Sequence, residues 1–258
     1  MLLRKKMLSL MAAFAIAISI LSPAASVQAM QISDQGQAHW SAPANSTVIT
    51  MKGDLVRVDY IHYAKHVAAV RTVKPTQGFK LMGVKWLVQE DFAINSGSIP
   101  TYLNKAGTVD DILVSTQTWD EKTTCSLTTQ ANLFGASGTN NTAAYGTYDN
   151  INIIDFGPLD YANAIAVTSI WYNRSTKSIL EYDMRFNTAF EWSTSGAPGK
   201  MDVQNIATHE LGHAVGLSDI YNSTFSALTM YGYADYGETN KQDLEPPDIA
   251  GLQKMYGL

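Results

Sequence analysis

The chain has 258 residues, 46% hydrophobic and 16% charged, with 18 Lys+Arg against 23 Asp+Glu. That apolar share is enough for a sizeable core, which excludes a disordered chain as the starting assumption. A net charge of -5 argues against nucleic acid as a partner, because neutralising phosphates needs a basic surface. The one cysteine, Cys125, excludes an intramolecular disulfide framework and is expected as a buried thiol.

Residues 1–29 read as a secretory signal peptide. Arg4, Lys5 and Lys6 precede the uncharged, mostly apolar run 7–21, and Val27 and Ala29 stand at the −3 and −1 spacing of a signal-peptidase site. The run is short for a bilayer span, which needs about 20 residues, so cleavage near Ala29 is favoured over the alternative, an uncleaved anchor, and no stable membrane span is expected in the mature chain. Removing it takes away three cations and no anion, so the charge of -5 becomes −8. The mature protein is expected to be secreted and monomeric.

Residues 30–78 read as an N-terminal extension or pro-segment. They are polar at first, strand-like over 54–63, and close on the turn Pro75-Thr76-Gln77-Gly78. Beyond residue 79 the hydrophobic pattern predicts a strand over 85–94 and a helix over 109–119 with Ile112, Leu113, Thr116 and Trp119 on one side. Further strands are predicted over 150–156, 164–172 and 179–186, the last two joined by a polar turn. A helix opens at Asp202, a good N-cap, and stops at Gly216, where glycine can take the left-handed backbone that ends it. The last helix is predicted over 247–256. Strands first and helices later make the fold class α+β.

The chemistry concentrates in His209-Glu210-Leu211-Gly212-His213. Helical residues four apart lie about 40° round the axis and one turn along, so both imidazoles reach one ion and Glu210 sits beside it. A catalytic zinc takes three protein ligands and keeps a position for water. Gly216 turns the chain back, which lets Asp219 supply the third ligand. Gly212 inside the helix costs about 1 kcal/mol and needs a reason.

The run from His209 to Asp219 resembles the metzincin metalloproteases, whose signature is H-E-x-x-H-x-x-G-x-x-H followed by a methionine turn. Asp219 stands where His is usual, a variant that resembles snapalysin-type and some prokaryotic matrixin-like enzymes. Met230 in Leu228-Thr229-Met230-Tyr231-Gly232-Tyr233 matches the Met-turn. Met184-Arg185-Phe186-Asn187-Thr188 with Trp192, and Pro247-Asp248-Ile249-Ala250-Gly251-Leu252-Gln253-Lys254-Met255-Tyr256-Gly257, resemble the last sheet strand and C-terminal helix of the matrixin branch. The resemblance covers about residues 79–258.

It implies a twisted, mostly parallel five-stranded sheet with three main helices and one catalytic Zn²⁺ held by His209, His213 and Asp219. It also implies a zinc endopeptidase in which the ion polarises the scissile carbonyl and Glu210 moves the proton. Protein or peptide substrates would lie along the edge strand over 164–172. Tyr231 and Tyr233 could line the substrate pocket, steady the oxyanion or simply pack. The histidine-rich loop that often holds a second, structural zinc in matrixins has no histidine here over 157–163, and no cysteine latch lies in 30–78. Pro247-Asp248 replaces the family's Asp-Asp pair. The alternative function is a secreted binding or cell-surface protein on the same scaffold, and the intact Glu210 argues against it.

Three weaker signals complete the reading. His62 and His66 are four apart but follow a strand-like run and lack a third ligand, so with His39 they are expected to be bystanders. Lys52-Gly53-Asp54 reads as a strand-entering turn. Asp149, Asn150, Asn152, Asp155 and Asp160 could bind Ca²⁺, although such residues are equally common in turns.

Overall fold

The computed structural model describes residues 47–65, 77–124, 132–139 and 141–257. The expected signal segment, Cys125, His39 and His66 lie outside these residues. Among the described residues no helix is long and apolar enough to cross a membrane.

Eight strands form one mixed sheet: β1 (Thr47–Lys52), β2 (Leu55–Ala64), β3 (Glu90–Ile94), β4 (Phe134–Thr139), β5 (Asn152–Gly157), β6 (Ala164–Asn173), β7 (Ser178–Asn187) and β8 (Tyr233–Ala234). Their spatial order is β1-β2-β6-β7-β5-β3-β4, with β8 pairing β2 beyond the end of β1. Pairings among β3, β4, β5 and β7 are parallel, whereas β1-β2, β2-β6 and β6-β7 are antiparallel. Three helices complete the α+β architecture: α1 (Lys105–Asp120), α2 (Val203–Ala214) and α3 (Pro246–Tyr256).

The sheet exceeds the expected five strands because β1 and β2, from residues assigned to the extension, and the two-residue β8 join it. Lys52-Gly53-Asp54-Leu55 closes a tight hairpin, with Gly53 at φ 64 giving the turn the twist that matches its strands. Asp54 accepts hydrogen bonds from Arg174 and Ser175, as a turn residue on the sheet's surface. β2 then runs the length of β6, from Leu55 opposite Asn173 to Tyr63 opposite Ala164. β6 is therefore an interior strand, buried over its first eight residues, and not the sheet edge expected over 164–172.

The strand expected over 85–94 is shorter, beginning at Glu90. Lys85 makes an isolated parallel bridge to Ser178, and the run is interrupted between it and Glu90. Within that interruption the buried Trp86 indole donates Nε1–H to the Ala214 carbonyl at 2.8 Å and satisfies an orphan acceptor at the end of α2. The Tyr256 hydroxyl closes the next carbonyl, Val215, at 2.9 Å.

α1 and α2 pack through Trp119, Ile112, Ile206 and Leu211 in the main core. The Trp119 indole donates to the Thr208 carbonyl at 2.8 Å, and the Thr208 hydroxyl bonds Ser115 at 3.0 Å, so the interface is keyed as well as apolar. α2 starts where expected, with the Asp202 side chain accepting from the Asn205 amide at 2.9 Å. It ends at Gly216, whose φ of 102 lies in the left-handed region.

Gly216 has a second constraint: a Cβ there would lie 2.5 Å from the Val84 carbonyl oxygen, a backbone atom that cannot swing aside. Gly216→Ala is expected to cost about 2–3 kcal/mol through strain and overpacking, lowering Tm by roughly 4–10 °C. An unchanged thermal unfolding curve would contradict this account.

Candidate metal centre

α2 is buried on every side except at Gln204, so its polar side chains must find partners inside the protein. His209, Glu210 and His213 are each 0% exposed. Beyond Gly216, Leu217–Ser218 pairs antiparallel with Lys80–Leu81 and carries Asp219 back beneath the helix. Asp219 Oδ1 then lies 3.2 Å from His209 Nε2 and 3.4 Å from His213 Nε2.

The hydrogen bonding fixes how the imidazoles present themselves. His209 Nδ1 contacts the Thr229 carbonyl at 2.6 Å and His213 Nδ1 the Leu217 carbonyl at 2.9 Å. A carbonyl only accepts, so each Nδ1 carries the proton and each Nε2 keeps its lone pair facing inward. Neither Nε2 has a hydrogen-bond partner, and neither does Asp219 Oδ1. Three buried, unpartnered donor atoms converging on one point are costly unless a cation joins them.

The spacing suits zinc. Tetrahedral ligands about 2.0–2.1 Å from a zinc ion stand about 3.3 Å apart, close to the two measured separations. Two histidines and a carboxylate also leave a coordination position for a non-protein ligand.

Charge inside the cluster follows from burial. Burial holds the His209 imidazole neutral, down to about 4, against the pull of Asp219. Burial also disfavours charge on His213, but Asp219 outweighs it and raises that pKa. Asp219 is held well below the carboxylate range, because the two histidines more than offset its desolvation. The Tyr221 hydroxyl donates to Asp219 Oδ2 at 2.9 Å, leaving Oδ1 turned to the histidines.

Glu210 points beside this triad. Thr168 on β6 donates its hydroxyl to Oε2 at 2.5 Å, while Oε1 has no hydrogen-bond partner. Burial raises this carboxyl to about 7, against the opposing pull of His213 and Thr168.

Met230 is fully buried beneath α2. A Cβ at Gly212 would lie 2.2 Å from the Met230 sulfur and 2.8 Å from Trp119 Cζ2, which supplies the reason for glycine in mid-helix. Asp248 accepts from the amides of Met230 at 3.2 Å and Thr229 at 3.1 Å, and so fastens this turn to the start of α3. Tyr231 and Tyr233 pack with Ile61, Tyr63, Ala164 and Val167 in a second apolar cluster.

Several site residues were not legible in the sequence. His62, expected to be a bystander, stacks on His209 at 3.8 Å, with Nδ1 3.4 Å from Glu210 Oε1. Tyr60 stacks on His213 at 4.2 Å. The His62/His66 spacing drew attention to the segment, but no local pattern shows which distant strand β2 pairs with. Lys241 is 0% exposed and donates to the Tyr231 carbonyl at 3.1 Å and the Tyr233 carbonyl at 2.5 Å, with Glu238 at 3.1 Å. Its surroundings, Asn240-Lys241-Gln242-Asp243, read as a solvated loop.

The calcium expectation finds no support. Asp155 is paired with Arg185 through two hydrogen bonds, the shorter at 2.5 Å. Asn152 bridges the Asp91 carbonyl and the Tyr182 amide, and Asp149 accepts from the Ile151 amide. These groups are committed to strand and turn structure.

The matrixin peptidase family profile matches residues 149–257, the span that holds the triad, Met230 and α3. The chain is 24% identical to a hatching enzyme of Paracentrotus lividus over 179 residues, 69% of this chain and 27% of that protein. It is 36% identical to a matrilysin of Rattus norvegicus over 67 residues, 26% of this chain and 24% of that protein. The chain thus spans about a quarter of the length of each of these relatives. Residues 149–257 are matrixin-like, and the metal that this family implies is zinc.

Lys241→Met is expected to destabilise the chain by about 3 kcal/mol, because it leaves buried carbonyls and Glu238 without their cation. Urea denaturation of the variant measures this, and a midpoint equal to that of the parent would refute the role.

Proposed function

We propose that the protein is a secreted zinc-dependent endopeptidase in which His209, His213 and Asp219 hold the ion and Glu210 is the general base and acid. The observation that carries this reading is the convergence of three buried, unpartnered ligand atoms beside a carboxylate with one free oxygen. The matrixin likeness of residues 149–257 supports it. In this reading residues 1–29 are a signal peptide, 30–78 a pro-segment, and 79–258 the protease region.

Zinc bound here supplies Lewis-acid polarisation of the scissile carbonyl and charge stabilisation for its oxygen. The chain's own groups do the rest. Glu210 Oε1 takes a proton from the attacking water and returns it to the leaving amine nitrogen. Thr168, bonded to Oε2, leaves Oε1 as the oxygen that exchanges the proton. The Nδ1–H bonds to Thr229 and Leu217 lock both imidazoles in the ligating tautomer. Met230, seated under Gly212, fixes the floor, and Tyr231 and Tyr233 form the apolar wall for a substrate side chain. A non-proteolytic binding protein would have no use for a buried carboxylate held at one oxygen and without a hydrogen-bond partner at the other.

Metal analysis and proteolysis test the assignment. Glu210→Ala is expected to keep stoichiometric zinc and lose roughly 10²–10⁴-fold in turnover of casein, while Asp219→Ala loses the zinc. Cleavage by the parent should stop with a chelator. Zinc bound with no cleavage of any substrate, in the parent and in the β2 variants described below, would favour the binding-protein alternative.

Asp219 brings a negative charge where a third histidine would be neutral, which makes the bound water a weaker acid. The activity profile of Asp219→His should therefore lie at lower pH than that of the parent. Superimposable pH–rate profiles would disprove this role of the charge.

A further inference from the structure

The proposed centre is closed to solvent by the chain itself, and the closing element is β2. A peptidase must admit both water and an extended chain, yet His209, Glu210 and His213 are each 0% exposed. β2 pairs antiparallel with β6 along one edge; along the other it pairs with β1 over Leu55–Tyr60 and then, at Tyr63–Ala64, in parallel with β8. Of these, β6 and β8 belong to the site: β6 contributes Thr168, the partner of Glu210, and β8 follows Met230 and Tyr231.

Strand alternation sends the side chains of β2 to two destinations. Tyr60 and His62 face the metal ligands, stacked on His213 and His209 respectively. Ile61 and Tyr63 face the other way, into the cluster with Ala164, Val167, Tyr231 and Tyr233. Neither nitrogen of the His62 ring has a hydrogen-bond partner, although the residue is 0% exposed. The ring thus fills space beside Glu210 Oε1 without satisfying itself there. The pairing with β6 breaks its register between His62 and Tyr63, at the point nearest Glu210.

The upstream half of β2 is anchored firmly. Arg57 donates to Asp59 at 2.7 Å, to the Gly146 carbonyl at 2.8 Å and to Ser169 Oγ at 3.1 Å, with its guanidinium over the Trp171 ring.

We infer that the channel alongside β6, flanked by β8 at its Tyr63–Ala64 end, is a strand-accepting groove for an extended peptide, and that Leu55–Ala64 is its built-in occupant, a pseudosubstrate that keeps the centre latent. The inference rests on the protease reading for what the groove serves, but not for what fills it. Recognition is by the backbone ladder to β6, joined by β8 at one end, with an apolar or aromatic side chain taken up by the Tyr231–Tyr233 wall.

The test uses the whole chain. Tyr60→Pro/Ile61→Pro removes a ladder donor on each edge of β2, since successive N–H groups point to opposite sides. Arg57→Ala weakens the anchor and leaves the backbone intact. Two readouts are taken: amide hydrogen exchange over β6 and α2, and binding of a synthetic peptide with the sequence of residues 55–64. In the parent, β6 should be protected and the peptide should not bind. In the proline variant β6 exchange should accelerate at least tenfold while α2 stays protected, the peptide should bind, and peptide cleavage should rise at least tenfold. Arg57→Ala should move the same readouts by a smaller factor.

Peptide binding to the proline variant with no cleavage by any form would uphold the groove and its occupant while refuting the protease reading. Faster β6 exchange with no peptide binding would overturn the inference. So would loss of α2 protection in both variants, because β2 would then be an integral part of the fold.

Discussion

The centre depends on an absent methyl group. Gly212 lets the Met230 sulfur approach the axis of α2 more closely than any side-chain-bearing residue would allow. That approach sets the height of the turn at 229–231 against the helix. The Thr229 carbonyl then meets His209 Nδ1, and β8 comes to lie where it can pair with β2. Asp248 pins the same turn from α3 through two amides. A core methyl at position 212 would push against Met230 and Trp119 together, so helix, turn and α1 cannot be adjusted independently.

Charge is handled by the same parts. Asp219, Glu210 and Lys241 are all taken almost wholly out of water, which is costly for each unless the neighbours are arranged for it. The Lys241 ammonium meets the two carbonyls that the turn leaves facing inward, Tyr231 and Tyr233, and the Glu238 carboxylate balances it. Asp219 is left with two histidines whose outer nitrogens already donate to carbonyls. The buried atoms left without a hydrogen-bond partner here are His209 Nε2, His213 Nε2 and Asp219 Oδ1 at the centre, with Glu210 Oε1 and both His62 nitrogens beside them. Polar atoms left over in so complete a network mark the place where a cation belongs.

What the sequence disclosed was whatever local geometry determines. Helical period alone put His209 and His213 on one face, and the glycine at 216 forecast a reversal that returns Asp219 to them. The Asp202 cap and the strands at 164–173 and 178–187 follow from patterns a few residues long. Hidden features were those decided across the chain. Residues 54–63 read as a strand, but their pairing with 164–173 is a fact about two segments a hundred residues apart, and no periodicity encodes it. Lys241 looks like a solvated lysine until the carbonyls it serves are in place. The strand expected over 85–94 is interrupted between Lys85 and Glu90, where the Trp86 indole N–H finds its acceptor on a helix end.

The tether gives the pseudosubstrate its advantage. β2 is continuous with the rest of the chain, so its re-entry into the groove is intramolecular, and the effective concentration of a covalently linked segment is on the order of millimolar. A free peptide at micromolar concentration competes at a disadvantage of about a thousandfold even if its contacts are equal in strength. Ile61 and Tyr63 already occupy the apolar wall, and Tyr60 and His62 already cover the imidazoles. Latency of this kind therefore needs no thiol on the metal and no contact stronger than those an ordinary substrate makes. Cutting the connection turns the same contacts into a bimolecular equilibrium, and at low protein concentration dilution alone then favours departure of the strand.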